Sequence, residues 1–92
     1  MPMRRYCGTE EILCDNGQGA KLYYYLLREK LESCESYGAE VVMQRGESWE
    51  SAAVHHVTTS PARMESMLEQ LRRNTVTPCA LRDIILEELN KY

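Results

Sequence analysis

The chain has 92 residues, of which 43% are hydrophobic and 27% are charged. This balance is typical of one globular domain and excludes a disordered protein. The net charge is −3, and although charge is unevenly distributed along the chain, there is no dominant basic stripe of the kind that nucleic-acid-binding domains carry. Phenylalanine is absent, whereas there are six tyrosines and one tryptophan, so amphipathic rings must supply the large aromatic side chains.

The amino terminus and the cysteines indicate a cytoplasmic protein that does not enter the membrane. Arg4 and Arg5 are not followed by the apolar segment that a secretory signal requires. The longest apolar run, residues 22–27, is too short to span a bilayer. The four cysteines lack a C-x-x-C pair, so we expect free thiols in a reducing compartment. They are Cys7, Cys14, Cys34 and Cys79.

The first half of the chain predicts four β-strands. Asn16 and Gly17 form a dipeptide typical of tight hairpin turns, because both residues accept positive φ angles. Val54 and Val57 break the alternation of the fourth strand, which predicts a β-bulge. Residues 1–8 are expected to form a flexible tail. The predicted strands span residues 9–14, 21–32, 38–45 and 49–58.

A helix is the rival interpretation of the second predicted strand. Tyr23, Leu26, Leu27 and Leu31 also fall near helical spacing, and the Leu-Arg-Glu-Lys-Leu-Glu string favours a helix. Three consecutive tyrosines and the preceding hairpin turn favour the strand. A continuous helix over residues 21–33 would exclude the meander.

After residue 60 the apolar period changes from 2 to 3.6. Ser60 and Thr77, each followed by a proline, predict the N-caps of helices over 61–73 and 78–90. The expected buried stripes are Met64, Met67, Leu68 and Leu71 in the first helix, and Leu81, Ile84, Ile85 and Leu89 in the second. The whole pattern predicts an α+β fold over residues 9–92, a four-stranded antiparallel meander followed by a two-helix hairpin packed on one face.

Five segments of the chain form a recognisable pattern, namely residues 24–29, 37–41, 57–60, 71–78 and 81–83. Together they resemble a family of short bacterial proteins known from Gram-positive anaerobes, a domain of unknown function. The similarity covers roughly residues 9–90. The resemblance implies the same order of elements and a cytoplasmic bacterial setting, and it brings no catalytic residues.

No catalytic, cofactor or metal site is predicted. His55 and His56 are adjacent on a strand, so their side chains should point to opposite faces and cannot easily share one ion. Cys79 lies at the start of the second helix, where the helix dipole favours an anion. A dipole without a base and an oxyanion site does not make a catalyst. A small enzyme using Cys79 or His56 is therefore only an alternative hypothesis.

Four arginines near the two helices suggest a second alternative, a nucleic-acid-associated protein with an anion-binding corner at the helix–helix turn. Glu87 and Glu88 oppose this hypothesis, because carboxylates facing phosphates weaken binding. The arginines of the candidate corner are Arg63, Arg72, Arg73 and Arg82.

We therefore predict a non-enzymatic interaction or regulatory module that needs no cofactor and binds a protein, either a foreign one or a second copy. Two helices can cover only one face of a small antiparallel sheet, and the other face is normally polar. The second strand, however, has apolar or tyrosine side chains on both faces, which favours an association surface. The candidate surface consists of Tyr23, Tyr24, Tyr25, Val42 and Leu86.

Overall fold

The protein is described here by a computed structural model, which covers residues 3–90. The strands are β1 (Met3–Leu13), β2 (Gly19–Lys30), β3 (Glu35–Arg45) and β4 (Ser48–Thr58). The helices are α1 (Pro61–Arg73) and α2 (Pro78–Leu89). The sheet has the order β1-β2-β3-β4 with every neighbouring pair antiparallel. The predicted meander and helical hairpin are confirmed, and the helical interpretation of residues 21–33 is wrong.

Strand β1 begins six residues before its predicted start. Residues 3–8 therefore belong to the sheet and do not form the predicted tail, while positions 1 and 2 lie outside the described residues. The register shifts between Tyr6 and Gly8, so Cys7 is an extra residue that disturbs the alternation. This β-bulge explains why the sequence pattern did not reveal the early start of the strand.

The two helices cover one face of the sheet and create the core there. Leu22 and Tyr24 of β2 are fully buried on this face, together with Val41 of β3. The predicted stripes supply the opposing side of the core. In α1 all four residues of the stripe are buried, whereas in α2 Leu81 and Ile85 are buried and the other two are half-buried.

The predicted bulge in β4 is confirmed. Tyr37 pairs with Thr58, but Ala39 pairs with Val54, so three residues of β4 lie opposite the single residue Gly38. A side chain at Gly38 would collide with the Val54 carbonyl oxygen, which makes glycine necessary at this position.

The turn between the helices is a Schellman motif in which Thr75 adopts the left-handed conformation that threonine rarely adopts. The Val76 N–H donates to the Leu71 carbonyl at 3.0 Å, and the Thr75 N–H donates to the Arg72 carbonyl at 3.1 Å. Thr75 has a φ of 47°, in the left-handed region that glycine usually occupies. The Tyr24 hydroxyl donates to the Val76 carbonyl at 3.0 Å and thereby attaches this turn to the sheet.

The two predicted N-caps differ in the structure. The Ser60 hydroxyl accepts a hydrogen bond from the Arg63 N–H at 3.2 Å, as a capping side chain should. Thr77 occupies the N-cap position of α2, but its side chain does not cap the helix. Its hydroxyl lies 3.3 Å from the Cys79 sulfur instead.

Candidate interaction surface

The sheet face opposite the helices, here called the open face, carries side chains from all four strands. Because Leu22, Tyr24 and Leu26 point into the core, the intervening Tyr23 and Tyr25 point to the open face. The register places Tyr6 of β1 opposite Tyr25, and Val42 of β3 opposite Tyr23. The open face is therefore rich in large apolar groups, unlike the usual polar exterior of an antiparallel sheet.

Aromatic rings extend across the open face from one sheet edge to the other. Tyr6 and Tyr25 meet edge to face with ring centroids 5.9 Å apart. Tyr23 stacks on Trp49 of β4 with centroids 6.3 Å apart. Tyr6 and Trp49 are 57% and 60% exposed, so the two outermost rings present most of their surface to solvent. Such rings provide wide contact area for a partner at little cost in conformational entropy.

A cation covers the middle of this aromatic surface. The guanidinium carbon of Arg4 lies 4.1 Å from the centroid of the Tyr25 ring. The same guanidinium donates a hydrogen bond to the Glu40 carboxylate at 3.0 Å, which raises the pKa of Arg4 above its ordinary value. Arg4 is therefore charged but already paired on the face.

The charges of the open face do not favour phosphate. Alternation along the strands assigns the cations Arg4 and Lys21 to this face, together with the carboxylates of Glu11, Glu29 and Glu40. Carboxylates therefore outnumber lysine and arginine side chains among the described residues of the face. A nucleic-acid surface needs the opposite balance.

The open face is divided into two halves of different relief. The tyrosine half, on β1 and β2, carries Tyr6, Tyr23 and Tyr25. The shallow half, on β3 and β4, has small or short side chains at its centre. These are Gly38, Val42, Ser51 and Ala53, together with Glu40, whose carboxylate binds Arg4. Larger side chains lie at its two ends, Gln44 and Trp49 at one, and His55 and His56, which contact Glu29, at the other.

The structure brings three of the five predicted surface residues together. Tyr23, Tyr25 and Val42 lie side by side on the open face. Tyr24 is 0% exposed in the core, so it does not belong to the surface. Leu86 is 45% exposed but lies on α2, on the other side of the sheet.

Sequence reasoning missed two residues of this surface. Tyr6 was assigned to the tail, because the bulge at Cys7 hides its alternation with the rest of β1. Trp49 could have been found, since it alternates with Ser51 and Ala53 at the beginning of the predicted fourth strand.

The two histidines share a carboxylate, contrary to the expectation that they point apart. His55 Nδ1 and His56 Nε2 each lie 3.1 Å from a different oxygen of Glu29. The bulge explains this arrangement, because His56 has a φ of 55° and leaves the strand alternation. Within residues 3–90, no three His, Cys, Asp or Glu side chains are arranged to hold a metal ion.

Arg72 of the predicted arginine corner contacts the sheet instead of a free anion site. Its guanidinium donates to the Cys7 carbonyl at 3.0 Å and lies 3.4 Å from the Glu10 carboxylate. It packs directly on Gly8, where a side chain would collide with it. Arg72 therefore stabilises the β1 bulge against the end of α1.

Arg63 and Arg73 lie at opposite ends of α1. Arg63 is in the first turn, about 14 Å along the helix from Arg72 at 1.5 Å per residue, so it is separated from the arginines beside the helix–helix turn. Arg73 pairs with Glu69 at 2.7 Å, and Arg82 is exposed on α2.

Cys79 is exposed beside the Thr77 hydroxyl, and the four cysteines are free thiols.

Neither helix within residues 3–90 has the length and apolar character that a membrane span requires.

The model of the family of unknown function DUF6514 matches residues 3–91. The chain belongs to this family. No curated protein and no solved structure matches it. The match confirms the predicted domain of unknown function, but it assigns no activity, so a proposal for the function rests on the open face.

Proposed function

We propose that this DUF6514 chain is a non-enzymatic interaction module that binds a protein through its open face. The observation that carries the proposal is the aromatic series Tyr6, Tyr25, Tyr23 and Trp49, which extends from β1 to β4 across the open face and is not covered by any helix or strand among residues 3–90. Contiguous exposed apolar surface of this kind marks association sites.

The composition of the open face fits a protein better than a nucleic acid. Tyrosine, tryptophan and arginine are the residues most enriched at the centres of protein interfaces. Aromatic sheets also stack nucleic-acid bases, but they then need lysine and arginine to neutralise the phosphates. The excess of carboxylates on this face opposes that alternative.

The chemistry of the face also defines the partner. It should present a flat surface of mixed apolar and small polar groups with little net charge, because Arg4 is already paired with Glu40. The four free cysteines and the family resemblance support a bacterial cytoplasmic setting for this contact.

Photo-crosslinking in the native cell tests the proposal. A photoreactive phenylalanine analogue replaces Trp49 on the open face, and in a matched variant it replaces Leu86, which is also exposed but lies on the helical side. We expect a discrete protein adduct from position 49 and none from position 86. Equal yields at the two positions, or a position-49 adduct that nuclease removes, would show that the open face is not a protein-binding surface.

A further inference from the structure

The two halves of the open face are complementary in relief along each row of the sheet. One row crosses the strands as Tyr6, Tyr25, Glu40 and Ala53. The next row crosses the strands as Thr9, Tyr23, Val42 and Ser51. In both rows the large rings belong to β1 and β2. The side chains of β3 and β4 are short except for Glu40, which extends sideways to Arg4. A tyrosine ring extends several ångströms further from the sheet than alanine or serine, so one half protrudes and the other is recessed.

We propose that the open face binds a second copy of the chain, with the tyrosine half of each copy seated on the shallow half of the other. This inference rests on the proposed function and specifies its partner. A twofold axis parallel to the strands and lying between β2 and β3 produces this arrangement, because it places β1 and β2 over the partner's β3 and β4. Because the axis is parallel to the strands, each row meets the same row of the partner. Every contact then occurs twice, as an isologous interface requires.

Face-to-face packing of two such sheets is a common geometry. Twisted sheets stack with their strands within about 30° of each other, and their inner side chains interdigitate. In the proposed arrangement the Tyr6 ring of each copy lies over the end of the row that carries Ala53. The Tyr23 ring similarly lies over the part of the sheet that carries Val42.

The charges of the open face allow two copies to approach each other. Arg4 is neutralised within its own copy by Glu40 at 3.0 Å, and Glu11 pairs in register with Lys21 on the neighbouring strand. Glu29, the third carboxylate of the face, lies near the end of β2 against His55 and His56, away from the tyrosines. No unbalanced cluster of one sign therefore surrounds the tyrosines. A second copy therefore avoids the like-charge repulsion that a strongly acidic or basic face would cause.

The area of the face predicts a weak and reversible dimer. Strands of 11 or 12 residues rise about 3.3 Å per residue and lie about 4.8 Å apart, so four strands present about 700 Å². Two copies would bury about 1,400 Å² in total, towards the low end of specific interfaces. We expect association between micromolar and millimolar concentrations.

Analytical ultracentrifugation of the full chain, alone and in mixtures, tests the arrangement. The native chain should shift from the mass of one copy towards that of two as its concentration rises from micromolar to millimolar. Tyr6→Glu and Ala53→Arg should each weaken the dimer at least tenfold, since each places a charge in both contacts. Leu86→Arg, on the helical side, should leave the dimer unchanged.

Mixing the two weakened variants provides the decisive measurement. One contact of the mixed dimer is fully native, and the other pairs the new carboxylate with the new guanidinium. The mixture should therefore dimerise at least tenfold more tightly than either variant alone. Thr9→Glu with Ser51→Arg, in the adjacent row, repeats the test if Tyr6→Glu lowers the melting temperature.

Two results would overturn the proposal. A native chain that sediments as a single copy at 1 mM has no such dimer. A mixture no tighter than its components excludes the packing of unlike halves, because a native contact would then be missing. In either case a foreign-protein adduct at position 49 would leave the proposed function standing, whereas the absence of any position-49 adduct would contradict it.

Discussion

At the residue scale, Tyr24 differs from its two tyrosine neighbours because the strand turns it into the core. Its ring is fully buried, and its hydroxyl donates to the Val76 carbonyl at 3.0 Å, in the turn between the helices. Tyr23 and Tyr25 point the other way and form part of the open face. Three identical residues in a row therefore serve both to join the helices to the sheet and to build the candidate surface.

Tyr24→Phe should lower the free energy of unfolding by about 1–2 kcal/mol, because the buried Val76 carbonyl loses its donor while the packing of the ring is kept. Tyr23→Phe is the matched control. Its hydroxyl donates to Gln44 at 3.2 Å at a half-buried site, so its removal should cost only a few tenths of a kcal/mol. Urea unfolding measures both, and equal losses would show that the link to the helical turn contributes no stability.

The stability of the native chain should fall as the pH rises above about 10, the ordinary tyrosine pKa. Burial, and secondly the charge of Glu10, raise the pKa of Tyr24 in the folded state. The unfolded chain then releases the Tyr24 proton at a lower pH than the folded chain does. The raised pKa of Tyr24 therefore adds to the free energy of unfolding. This added stability is fully present below pH 10 and is lost as the pH rises above it.

The urea midpoint, measured from pH 8 to pH 11.5, should therefore decline less steeply in Tyr24→Phe than in the native chain. Some decline should persist, because the hydrogen bond to Glu35 also raises the pKa of Tyr37. Identical slopes in the two proteins would contradict the buried, protonated state of Tyr24.

At the scale of the elements, the helix ends could be predicted from the sequence, whereas the strand bulges limited what could be predicted for the sheet. Both N-cap residues, each followed by a proline, could be predicted, and α1 and α2 begin where they indicated. The start of β1 could not, because it depends on a bulge that only cross-strand pairing reveals. The bulge in β4 was predictable, but the left-handed φ of His56, which brings both histidines to Glu29, was not. Alternation found Tyr23 and Tyr25 on one face, but it could not decide which face the helices would cover.

The two N-cap residues should respond differently to alanine. Ser60→Ala should cost about 1 kcal/mol of unfolding free energy, since the hydroxyl accepts from the Arg63 N–H. Thr77→Ala should cost clearly less, because the Thr77 side chain makes no capping hydrogen bond. Urea melts of the two variants compare them directly, and a larger loss for Thr77→Ala would show that its hydroxyl caps α2 in solution.

Thr75→Gly should stabilise the protein by roughly 1 kcal/mol. A left-handed backbone costs a non-glycine residue about 1–2 kcal/mol, and glycine offsets part of that gain through its greater freedom in the unfolded chain. Thr75→Ala is the control, since it removes the same side-chain atoms but keeps the Cβ. Urea melts that show equal stability for the two variants would contradict the strained Schellman turn.

At the scale of the whole molecule, the two faces of the sheet differ: one packs against the helices and the other is the open face. The side covered by α1 and α2 contains the core and accounts for the fold. The other side carries rings that this core does not need, and its relief changes from β1 and β2 to β3 and β4. We propose that the core allows one copy to fold, and that the rings on the other side mediate association.

The fluorescence of Trp49 should report directly the burial of the open face by a second copy. It is the only tryptophan in the chain, it lies on the open face, and it is 60% exposed. As the concentration rises from micromolar to millimolar, its emission should shift to shorter wavelength, because association removes water from the ring. Ala53→Arg, which leaves Trp49 intact but blocks the shallow half, should show no shift over the same range. A shift of equal size in both proteins would mean that the ring is covered in some other way than by the unlike half of a second copy.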